Sequence, residues 1–172
     1  MGKTQILTRC AVFTATGAAI LYISAFFPTL SLTFAAIAGL FAAAAVIHDG
    51  LGAGFAVYAA TAALSAVLAP DKGNVILYAV ILGLYPVLKS LAERPHWAYL
   101  RWGAKLVFFN FVFAGVWILG WELVFDGLPD WPAMWLIAAV AANAVFVVYD
   151  IGLGRLISYY TYRIARKIDK KA

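Results

Sequence analysis

The sequence predicts an all-α integral membrane protein: a six-helix transmembrane bundle with N- and C-termini cytoplasmic, plus a C-terminal amphipathic helix. Three observations carry that expectation. The 172-residue chain is 65% hydrophobic and 12% charged, whereas a soluble domain is about 25% charged. Its apolar runs repeatedly approach the ~20 residues a helix needs to cross a bilayer. Its 13 Lys and Arg residues fall unevenly between alternate loops, the pattern that orients membrane proteins.

Taken in order, the first span is expected over residues 8–27, stopped by Pro28. The second, 30–47, ends at the polar turn His48-Asp49-Gly50. The third, 51–69, is closed by Pro70-Asp71-Lys72-Gly73-Asn74. The fourth, 75–91, carries Pro86 near its end. It breaks into a polar connection carrying Lys89, Arg94, Arg101 and Lys105, the basic loop around which the topology is counted. The fifth span is expected over 103–121, and an acidic connection from Glu122 to Asp130 leads to the sixth, 132–149. Pro132 suits a first helical turn, where its missing N–H costs nothing. Short loops make successive helices antiparallel neighbours.

An inside N-terminus puts 12 of the 13 basic residues on the cytoplasmic side, leaving only Lys72 outside. The outer loops then hold Asp71, Glu122, Asp126 and Asp130. From Gly152 onward, Leu153, Ile157, Tyr160, Ile164 and Ile168 recur at helical spacing, with Arg155, Arg163, Arg166 and Lys170 off that face. Residues 152–172 are therefore expected to form a basic amphipathic helix along the anionic inner leaflet, so that membrane lipid is a partner. The alternative is a continuation of the sixth helix, because Gly152 and Gly154 are the only breakers.

The net charge of +5 follows the membrane-proximal loops and is no nucleic-acid footprint. Cys10 is the sole cysteine, so neither a disulfide framework nor a cysteine metal site is expected. Ile6 breaks the myristoylation pattern, and the first apolar run lacks a cleavage site for a signal peptide. There is no P-loop, no zinc-protease motif and no nucleophile elbow. An enzyme, a cofactor and a bound metal are accordingly not expected. His48 and Asp49 lack further ligands at metal spacing.

Two small-residue patterns stand out. Ala11, Ala15 and Ala19 share one face of the first span, and Ala35, Gly39 and Ala43 share one face of the second. Small residues let helix backbones approach closely in lipid, either within the chain or against a partner. Asn110 and Asn143 lie at matching depth on neighbouring antiparallel helices, where an interhelical amide pair would satisfy both, and a polar substrate path is the alternative. At the outer end, Trp117, Trp121, Glu122 and Asp126 gather around one loop, with Asn74 and Tyr78 at the same level. Aromatic rings beside carboxylates suit a cationic or heteroaromatic ligand, while an interfacial aromatic belt explains the same rings without one.

This length, the six helices and the Ala11-Ala15-Ala19 face resemble the substrate-binding S-components of energy-coupling-factor transporters, across 8–149. The resemblance implies a solute-binding subunit that takes up a small molecule from the outer face. It implies that the alanine face contacts a transmembrane coupling subunit with ATPase subunits, and that residues 27–32 close an outward pocket. The chain also looks like uncharacterised bacterial membrane proteins through the runs from Pro70 to Lys89 and from Tyr149 to Ile157. A non-transporting accessory or scaffold subunit of a membrane complex is the other reading.

Overall fold

The computed structural model describes residues 2–93, 97–124, 134–160 and 162. The described residues are helical throughout, with turns between helices and no strand. Among the described residues, five segments are long and apolar enough to cross a membrane: Lys3–Ser24, Pro28–Asp49, Leu51–Leu68, Lys72–Ala92 and Leu136–Tyr159. In length and composition these helices are compatible with a multi-pass membrane protein.

Helix α1 (Lys3–Ser24) ends three residues earlier than 27. Its last turn tightens: the amides of Ala25, Phe26 and Phe27 each donate to the carbonyl three residues back. A 3-10 turn at Pro28–Leu30 then leads into α2 (Ser31–Asp49). Gly50 caps α2 at φ +88°, a left-handed conformation open to glycine and strained for other residues, so α3 (Leu51–Leu68) follows with almost no linker.

The fourth span departs most from an unbroken 75–91. It starts as α4 (Lys72–Leu77), where the Asp71 carboxylate caps the Asn74 amide at 3.1 Å. It widens into a π-helical turn at Tyr78–Leu82 and resumes as α5 (Leu84–Ala92). Gly83 N–H donates to the Tyr78 carbonyl at 2.7 Å, the i→i+5 bond that defines the wider turn. Pro86 now falls in the first turn of α5, where a missing N–H is tolerated.

Helix α6 runs Ala98–Val124 and α7 runs Met134–Tyr160, both longer than 103–121 and 132–149. Gly152 and Gly154 do not break α7. A helical glycine costs about 1 kcal/mol, which the continuing backbone ladder outweighs. The expected separation between a sixth span and a tail helix at 152 is therefore absent as far as Tyr160.

The chain divides into two compact units: Met1–Leu91 with Ile157–Ala172, and Ala92–Leu156. In the first, α1, α2 and α3 pack against one another and the fourth span packs against α2. Its apolar centre is Ala42, Ala45, Val57 and Val87. The backbones approach closely at two glycines. A side chain at Gly39 would collide with the Leu82 carbonyl, and one at Gly54 with Val46 and the Ala42 carbonyl.

In the second unit α6 and α7 lie antiparallel, matched rung by rung. Lys105 meets Asp150, Phe109 stacks on Phe146 with centroids 4.3 Å apart, and Asn110 meets Asn143.

Candidate functional site: a buried polar cluster

Ser24, Thr61, Ser65, Asn74 and Tyr78 are all buried in the first unit, Asn74 at 3% exposure and Tyr78 at 0%. Helical spacing assembles them. Thr61 and Ser65 are four apart on α3, and Asn74 and Tyr78 are four apart where α4 enters the π turn, so each pair shares a face. Ser24, the last residue of α1, joins by accepting a 2.6 Å hydrogen bond from Asn74 Nδ2. Its own hydroxyl hydrogen goes to the Leu21 carbonyl at 2.7 Å. Ser24 must therefore accept from Asn74, which fixes the amide with Oδ1 directed away from Ser24.

Thr61 Oγ1, Ser65 Oγ, Asn74 Oδ1 and the Tyr78 hydroxyl have no hydrogen-bond partner. The hydroxyls of Thr61 and Tyr78 are near one another without reaching hydrogen-bond geometry. Each orphaned buried polar group costs about 1–3 kcal/mol, so four in one place are a marked departure from native packing. Beside them the Tyr58 and Tyr78 rings lie 6.2 Å apart, and Tyr58 donates to the Ala79 carbonyl of the π turn at 2.6 Å. π turns recur at functional sites because they re-aim side chains.

Of the six ligand-contact residues expected from sequence, Asn74 and Tyr78 are thus interior neighbours. The side chains of Trp117, Trp121 and Glu122, and all of Asp126, lie outside the described residues. Ser24, Thr61 and Ser65 escaped the sequence reading. The available signal was the spacing of four between Thr61 and Ser65 inside the otherwise Ala/Val/Leu run of residues 59–68.

The two small-residue faces have opposite surroundings. Ala35, Gly39 and Ala43 are buried within the chain, whereas Ala11, Ala15 and Ala19 are all exposed. α1 instead turns Gly17, Ala18, Leu21 and Ser24 inward.

Asn110 and Asn143 exchange two hydrogen bonds of 3.0 Å. Each Nδ2 also donates to its own helix four residues back, to Leu106 at 2.9 Å and Ala139 at 2.8 Å. Both amides therefore spend both hydrogens, as a helix pair facing lipid requires.

Three ion pairs among the described residues, centred on Arg9 and Lys105, were not anticipated. Arg9 on α1 reaches Asp49 at the end of α2 at 3.4 Å, with the Asp49 side chain 1% exposed. Lys105 Nζ lies 3.0 Å from Asp150 and 3.0 Å from Glu93, and 5.4 Å from the Trp102 ring centroid. Sequence placed Lys105 and Asp150 as membrane-proximal charges. Their pairing depends on the α6–α7 register, which no local pattern encodes.

No protein-family model matches this chain, and no curated protein and no solved structure is found to be similar to it.

Proposed function

We propose that the chain is a solute-binding subunit of a membrane transporter, similar in plan to an S-component, which takes a small molecule from the outer face. The observation that carries this is the buried polar cluster. Four orphaned hydrogen-bonding atoms inside a lipid-embedded helical unit are costly as packing and useful as a binding surface. Ser24, Ser65 and Asn74 lie at the ends of α1 and α3 and the start of α4, so the cluster sits near one end of its spans. The placement of 12 of the 13 basic residues supports six spans with both termini in the cytoplasm, and in that arrangement this end is the outer one.

The exposed Ala11-Ala15-Ala19 face supports a helix partner, the coupling subunit in this reading. The same face favours a second reading, an accessory or scaffold subunit of a bacterial membrane complex that carries no solute.

Affinity purification from native membranes tests both. Recovery of an ATPase and a transmembrane coupling subunit, together with a tightly held small molecule, is the expected result. A stable complex lacking any ATPase leaves the scaffold. The topology has its own check in a Cys10→Ala background treated with an impermeant thiol reagent. Asp126→Cys is expected to label in intact cells, and Arg94→Cys and Lys170→Cys are not. Labelling at 94 would overturn the six-span arrangement.

A further inference from the structure

We infer that the cluster formed by Ser24, Thr61, Ser65, Asn74 and Tyr78 selects a small uncharged molecule bearing at least one N–H or O–H donor and at least one acceptor. This inference rests on the solute-binding reading and adds the class of solute.

Charge comes first. All five side chains are neutral. The charged residues next in sequence stay outside that buried set: Lys72 is exposed, and Asp71 is half-buried with its carboxylate capping the Asn74 amide at 3.1 Å. An ion placed among the five would find no counter-charge among them, and an unpaired buried charge costs far more than the hydrogen bonds on offer could return. A neutral molecule has no such penalty.

Hydrogen-bond inventory comes second. Asn74 Oδ1 only accepts, since its Nδ2 serves Ser24, so the ligand must present a donor to it. The hydroxyls of Thr61, Ser65 and Tyr78 each hold a hydrogen without an acceptor, so the ligand must also present acceptors. Amides and polyols meet both demands; hydrocarbons and simple ethers do not. Access comes third. Asn74 stands in the first turn of α4, and Ser24 ends α1 just before the turn at Pro28–Leu30. A path from that end of the unit is therefore short.

The test uses the full-length protein in lipid nanodiscs and three probes of one shape: benzamide, benzoate and benzamidinium. Thermal unfolding is followed with each at millimolar concentration, for the parent, Thr61→Val and Tyr78→Phe. Benzamide alone is expected to raise the melting temperature of the parent, by about 2 °C or more, and to lose that effect in both variants. Without any probe, both variants are expected to melt higher than the parent, because each deletes an orphaned polar group at constant shape.

A shift by benzoate or benzamidinium that the variants abolish would overturn the neutral class while leaving solute binding intact. Probe-free variants that melt lower than the parent would show the hydroxyls already satisfied, by fixed water or by each other, and would sink both. Equal shifts from all three probes, shifts that survive in the variants, or no shift from benzamide would each overturn the inference.

Discussion

The two units solve the same problem by different means. Lipid tails are as apolar as leucine, so burial alone does not drive helices together in a membrane. The first unit has directed contacts at its ends, Arg9 with Asp49 and Asn74 with Ser24. Its centre relies on proximity: Gly39 rests on the Leu82 carbonyl, Gly54 on α2, and Ala42 and Ala45 fill the middle. The second relies on directed pairs: Lys105 with Asp150, Phe109 on Phe146, Asn110 with Asn143. Close packing tolerates no added atom, while paired groups tolerate no missing partner. Each unit should therefore fail in its own way.

The largest effect is expected at the ion pair. Lys105→Met leaves the Asp150 carboxylate, 4% exposed, without its ammonium and should cost about 3–5 kcal/mol. Lys105→Met with Asp150→Leu should recover much of that, because the carboxylate still left without the lysine, Glu93, is 46% exposed and stays solvated. A single variant as stable as the parent in chemical unfolding would break the claim that directed pairs hold this unit.

Next comes the size test on small residues. Gly39→Leu should cost about 1–3 kcal/mol or more through overpacking against the Leu82 carbonyl. Ala15→Leu, on the exposed face of α1, should stay within about 0.5 kcal/mol of the parent. The same variant should lose any partner that docks there. Equal losses at 39 and 15 would erase the distinction between the two faces.

The smallest effect is reserved for the amides. Asn110→Leu and Asn143→Leu together should destabilise by less than the sum of the singles, with a coupling of about 0.6–1.7 kcal/mol. Strict additivity would mean that the reciprocal bonds contribute nothing specific.

These contrasts also mark what could be read in the chain itself. Hydropathy located the apolar helices because each needs a long apolar stretch, and Pro28 and Pro70-Asp71 punctuate them sharply. Matching depth brought Asn110 and Asn143 to the same level, since depth is only a count of residues from an inner end. The two small-residue faces were indistinguishable, because a spacing of four puts residues on one face without saying what that face meets. Gly152 and Gly154 looked like a boundary because propensity is local, whereas α7 is sustained by the turns on either side. The Lys105–Asp150 pair and the Ser24–Asn74 bond join residues far apart in sequence, and only the packed helices bring them together. The π turn at Tyr78–Leu82 had no signature at all in a run of ordinary aliphatic residues.

That turn works as an expansion joint. Each residue of an α-helix advances the face by about 100°, so one residue added to a regular helix would swing its two ends apart. Held inside a single wider turn, the extra residue leaves the helix before it and the helix after it in the orientation an unbroken α-helix would give. Asn74 before the turn, and Tyr85, Pro86 and Lys89 after it, are accordingly all buried. Deleting Val80 is expected to return the segment to plain α-helix with both ends still facing inward, and to disturb chiefly the bond from Tyr58 to the Ala79 carbonyl. The fourth span can thus carry a local distortion beside the polar cluster without giving up the packing of either end.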